Sequence, residues 1–142
     1  MVRILLLLFC LSLFTGCDKS PKPATQRIEE RNAVAAARMP KDPFDAKVFT
    51  ELKKAGHDFS KETEVEFYLY YPEQGAAAGT LQVLSADGYN GEITNPDGKW
   101  LCHLRKKMVL TADTIDMERF KFQELTVNAG GEYDGWGAPA VK

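Results

Sequence analysis

Apolar and polar residues alternate strictly from Thr63 to Tyr71, the clearest local pattern in the chain. Val65, Phe67, Leu69 and Tyr71 fall on one face of the strand this predicts, and Glu64, Glu66, Tyr68 and Tyr70 on the other. A second alternating run starts at Lys99, reaches Arg105 and extends toward Lys107. It sets Trp100, Cys102 and Leu104 toward the helices and turns Leu101, His103 and Arg105 the opposite way. Between these runs, Tyr89, Gly91 and Ile93 alternate with Asn90, Glu92 and Thr94, and Asn95-Pro96-Asp97-Gly98 has the composition of a hairpin turn. Glu132 to Trp136 predicts a last strand, after which Gly137-Ala138-Pro139 leaves the fold.

Three segments carry helical periodicity. Asp42 can cap a helix in which Pro43 takes the first position and Phe44, Val48, Phe49 and Leu52 recur at helical spacing, with Gly56 beyond its end. Pro72-Glu73 opens a second, to about Ser85, whose alanine-rich surface can lie close on a sheet. Thr111 caps a third, to about Asn128, with Ile115, Phe122, Leu125 and Ala129 along one side and Phe120 flanking them. Earlier, Gln26 to Arg38 can form a short helix, but Ile28 and Val34 are its only large aliphatics and it reads as a spacer.

From Thr63 the order is strand, helix, two strands joined by a hairpin, helix, strand. It predicts an α+β fold: a ferredoxin-like split βαββαβ sandwich, with two helices on one face of a four-stranded antiparallel sheet, plus an N-terminal helix. The first and third strands, longest and most apolar, become central. The second sheet face stays open unless a partner, or the Asp42 to Ala55 helix with Phe44, Phe49 and Leu52, covers it.

The first residues, MVRILLLLFCLSLFTGCDKS, follow another pattern. Arg3 precedes an apolar run of 11 residues, Ile4 to Phe14. That length suits a signal-peptide core and falls short of the roughly 20 residues that span a membrane. Leu13-Phe14-Thr15-Gly16-Cys17 resembles the lipobox of bacterial lipoproteins, in which the cysteine is acylated and becomes the first residue. The alternative is an ordinary signal peptide or a short anchor. The expected organisation is a signal peptide at 1–16, a lipid-anchored tether at 17–39, the domain at 40–138 and a tail at 139–142. The domain would then stand on the periplasmic or extracytoplasmic side of a bacterial membrane, held to the bilayer through Cys17. Asp18 leans toward the inner over the outer membrane.

Cleavage before Cys17 leaves 126 residues with a net charge near −3. This weak, mixed charge argues against nucleic-acid binding, which needs a basic stripe. Only Cys102 remains as a free thiol, so no internal disulfide is available. Its strand neighbour His103 points the other way and is no base for it, which makes Cys102 a core residue. His57 and His103 are the only histidines, no cluster has metal-ligand spacing, and no cofactor is implied. Asp113, Asp116 and Glu118 read as a charged helix start. The candidate protein-binding surface is the open face, Tyr68, Tyr70, Leu101, His103 and Arg105, because tyrosine and arginine anchor interfaces. The closing strand adds Glu132, Asp134 and Trp136, the alternative being that Tyr133 and Trp136 pack while Gly135 permits a turn. Its two carboxylates, read as sharing a strand face, serve acid–base chemistry only beside a cleft.

Val65-Glu66-Phe67-Tyr68-Leu69-Tyr70, Trp100-Leu101-Cys102, Met108-Val109-Leu110-Thr111 and Gly130-Gly131-Glu132-Tyr133-Asp134-Gly135-Trp136 together resemble the regulator of ribonuclease activity B domain, over about residues 42–138. The resemblance implies the fold and a non-catalytic role. The founding members are cytoplasmic inhibitors that bind ribonuclease E. An exported chain does not meet a cytoplasmic ribonuclease, and this one lacks the long acidic segments of those regulators. The expected function is therefore a membrane-tethered, extracytoplasmic protein-binding or regulatory domain with an unidentified protein partner. One alternative is a small hydrolase using Glu132, Asp134 and His103. The other is a ribonuclease-inhibitor-like regulator, if the chain is not exported.

Overall fold

The computed structural model describes residues 23–142; the signal segment, Cys17 and Asp18 lie outside the described residues. Helix α1 spans Ala24–Ala37, α2 Pro43–Lys54, α3 Gln74–Ala86 and α4 Ala112–Asn128. Strands β1 (Glu62–Tyr71), β2 (Asn90–Thr94), β3 (Trp100–Val109) and β4 (Glu132–Gly137) form one antiparallel sheet in the order β2-β3-β1-β4. The two central strands are those the alternation singles out. Among the described residues, no helix is long and apolar enough to cross a membrane.

Period-two patterning decides which side of the sheet becomes core. Val65, Phe67, Leu69 and Tyr71 of β1 and Cys102 and Leu104 of β3 are fully buried. Ala77 and Leu84 of α3 and Ile115 and Phe122 of α4 close over them. Each large apolar side chain buried here contributes roughly 1.5–3 kcal/mol. Helix α2 joins the same cluster through Phe49 and Leu52. The Phe49 ring stacks on Phe59 and meets Trp136 edge-on. This settles a point that periodicity leaves open: α2 packs on the helical face at the β4 edge and does not roof the other face. Phe44, expected on its apolar stripe, is 75% exposed.

Local chemistry sets the boundaries. Asp42 accepts bonds from the Phe44 and Asp45 amides at the start of α2, and Thr111 forms a reciprocal capping box with Thr114 at the start of α4. Strand β4 holds a bulge. Leu69 lies opposite Tyr133 and Tyr68 opposite Gly135, which leaves Asp134 as the extra residue. Gly135 absorbs the distortion at φ +120°, a conformation open essentially to glycine alone. The tail beyond β4 does not leave the fold. The Asp58 amide donates to Val141 O (2.7 Å), and the Val141 amide donates to His57 Nδ1 (3.0 Å).

Candidate functional site

The face of the sheet away from the helices is laid out by strand register. Across β1 and β3, Glu66 pairs with Arg105, Tyr68 with His103 and Tyr70 with Leu101; β2 sets Glu92 beside His103. The Tyr68 and His103 rings stack nearly parallel, with centroids 4.8 Å apart. The Tyr68 hydroxyl donates to Glu66 Oε2 at 2.7 Å. Arg105 Nη2 donates to Glu92 Oε1 at 2.7 Å and to His103 Nδ1 at 3.1 Å, while Arg105 Nε lies 3.6 Å from Glu66 Oε1. The surface is thus a charge-compensated patch around a stacked ring pair, with Tyr70 and Leu101 as its half-buried apolar end.

These contacts shift the titration of Glu66, Tyr68 and Glu92. The Tyr68 hydroxyl bond, aided by His103 and Arg105, holds the Glu66 carboxyl below the usual range against desolvation. Burial, with the Glu66 bond second, pushes the Tyr68 phenol up to about 12. The Arg105 bond likewise lowers Glu92. Arg105 therefore stands as a permanent cation whose nearest partner, Glu92, has a side chain 55% exposed.

The closing strand divides differently from its expected reading. Trp136 is 7% exposed and Tyr133 packs against the same core, so Trp136 is a core residue and no part of an exposed binding surface. Glu132 lies opposite Tyr70 and forms an exposed ion pair with Lys99, whereas Asp134 sits in the bulge, so the two carboxylates do not alternate along one regular face. Beside Glu132 lies a depression of about 190 Å³ lined by Tyr70, Pro72, Lys99 and Gly131; it includes neither His103 nor Asp134. The three residues of the hydrolase reading are not joined by it. Cys102 is fully buried and its thiol is pushed up to about 11 by that burial, a state opposite to an activated nucleophile. Among the described residues, no group of three or more His, Cys, Asp or Glu side chains is disposed to hold a metal.

A second ionic cluster escaped the sequence reading. Asp45, 1% exposed, accepts two bonds from Arg119 (2.6 and 2.7 Å) and one from Trp136 Nε1 (2.9 Å). Glu118, expected as part of a charged helix start, is also buried and accepts from the Tyr89 hydroxyl at 2.6 Å. Glu118 also pairs locally with Lys121 at 2.6 Å, but Arg119, Trp136 and Tyr89 lie tens of residues from the carboxylates they bond, and one sequence offers no local signal for such pairs beyond a carboxylate or tryptophan set against an apolar stripe.

The glycine-rich closing run is explained by the fold. A Cβ on Gly131 would lie 2.4 Å from the Tyr70 carbonyl oxygen, Gly135 permits the bulge, and Tyr133 and Trp136 fill the core. Residues 43–138 match the family model described as Regulator of ribonuclease activity B. A comparison with curated proteins returned no match.

Proposed function

On the premise that the chain belongs to the regulator of ribonuclease activity B family, a family of regulators rather than catalysts, we propose that it is a lipid-anchored, extracytoplasmic regulatory domain that binds a protein partner and catalyses nothing itself. The observation that carries this reading is the sheet face of Tyr68, Tyr70, Leu101, His103 and Arg105, left open while α2, α3 and α4 all pack on the other side. Tyrosine faces supply contact area at low entropic cost. A partner carboxylate can replace exposed Glu92 on Arg105, while Glu66 keeps the guanidinium in place. Glu132 and Asp134 flank this surface from the β4 edge.

The anchor rests on Leu13 to Cys17 and the tether that follows. Mass spectrometry of membrane-extracted protein is expected to find Cys17 acylated and residues 1–16 absent; an unmodified Cys17 or a retained Met1 overturns this part. A crosslinked pull-down from intact cells then identifies the partner. With that partner, Tyr70→Ala combined with Arg105→Ala should weaken binding by at least about 2 kcal/mol. Unchanged affinity removes this face as the interface. The family name itself supports a second reading, a ribonuclease as the target, and that reading gains if Met1 is retained and the chain stays inside the cell.

A further inference from the structure

The outer face of α4 is apolar where it meets water: Met117, Phe120 and Val127 are 64%, 62% and 72% exposed. These residues lie on one helical stripe with Asp113, Asp116 and Glu124. A depression of about 840 Å³ between the stripe and Lys41–Pro43, and one of about 350 Å³ farther along α4, meet at Phe120 and Gln123. A three-turn stripe of this kind on an otherwise well-packed helix calls for an occupant.

Helix α1 carries the complementary pattern. Arg27, Ile28 and Arg31 fall on one side of it, in line with Arg38 just past its end, and Ile28 is 57% exposed. The connection to α4 is already begun: α1 touches α4, Arg38 pairs with Asp113, and the Lys41 amide donates to Asp116 Oδ1 at 2.9 Å. Arg27, Ile28 and Arg31 on α1, and Met117, Phe120 and Val127 on α4, nevertheless stay exposed.

We infer that α1 is the occupant: a strap that closes antiparallel onto α4 from the Arg38–Asp113 pair. The spacings agree. Arg27 lies eleven residues before Arg38, and Glu124 eleven after Asp113, so closure sets Arg27 level with Glu124 and Arg31 level with Phe120. Three arginines meet a stripe bearing three carboxylates, and Ile28 reaches the apolar floor. Closure lays the roughly 20 Å length of α1 along α4. This inference does not depend on the open sheet face being a binding site.

Disulfide trapping in the full chain tests it. Arg27→Cys with Glu124→Cys, in a Cys10→Ser, Cys17→Ser background that leaves buried Cys102 in place, should form an intramolecular bridge about tenfold faster than Glu29→Cys with Glu124→Cys, because closure raises the local concentration of one pair only. Equal rates, or bridges only between chains, overturn the strap and assign the stripe to a second copy or to nothing. Hydrogen exchange supplies a second readout that needs no new cysteine. Phe120→Glu, an exposed change that spares the core, should lower amide protection across α1 several-fold. Unchanged α1 protection rules against closure.

Discussion

Asp45, Arg119 and Trp136 on the helical face and Glu66, Arg105 and Tyr68 on the open face are built from the same chemical types, an acid, an arginine and an aromatic ring. Their surroundings differ. The Asp45 side chain is 2% exposed and holds Arg119 by two short bonds, with the Trp136 indole on the same carboxylate. Arg105 is 34% exposed and divides its bonds among Glu92, Glu66 and His103, two of them relatively exposed carboxylates. In the first cluster the ions are sequestered, so removing one leaves an uncompensated buried charge. In the second, water can replace any single partner, so the contacts add little stability and stay exchangeable. The same vocabulary locks α2 to α4 and β4 on one side of the sheet and leaves a surface available for recognition on the other.

The largest expected effect breaks the buried cluster. Arg119→Met keeps the apolar stem and removes the charge, leaving Asp45 with the indole N–H as its remaining buried partner. Urea unfolding should show a loss of about 3–5 kcal/mol. A loss below about 1 kcal/mol, the range of a surface pair, would make the two clusters equivalent and undo the comparison.

Next comes the bulge that delivers Trp136 to Asp45. Gly135→Ala forces a side chain into φ +120° and should cost about 1–3 kcal/mol, without altering any exposed group of the open face. Circular dichroism melts check this. A neutral outcome would mean that the bulge relaxes without dragging Trp136 from the core.

What one sequence could reveal follows the same division. The strand faces were legible because burial on one side writes a period-two code into β1 and β3, and Cys102 and His103 parted as that code requires. The caps at Asp42 and Thr111 were legible because they are local. The side of the sheet taken by α2 was not, since an apolar stripe names no partner, and Phe44 follows the stripe yet faces water. The bulge at Asp134 was not legible either, because alternation assumes a regular strand. Regular alternation sets Trp136 on the same face as Glu132 and Asp134, and the bulge breaks that grouping. Asp45 looked like an ordinary first-turn acid, and only its distant arginine reveals its role.

A smaller effect is expected on the open face. Tyr70→Ala with Arg105→Ala, the pair proposed to weaken partner binding, should change unfolding free energy by no more than about 1 kcal/mol. Loss of the folded domain would mean that these side chains support the fold, and would bring the two clusters back into one class.

The smallest effect is a pH dependence. Glu66 and Glu92 have carboxyl groups held below the usual value of 4.5 in the folded state, by the Tyr68 hydroxyl bond and the Arg105 bond respectively. The unfolded chain therefore takes up protons first as pH falls. The contribution is fully present above the unfolded value and is lost as pH drops through the lowered folded ones. Arg105 stays charged throughout, so acid removes its partners and not the cation. Glu66→Gln with Glu92→Gln should thus differ from the parent in urea midpoint at pH 7 and converge with it near the acid end of the folded range. Parallel curves at all pH values would show that these carboxylates carry no native-state bonds in solution. Arg105 would then be free in the unbound protein, and a partner carboxylate would meet no competitor on the open face.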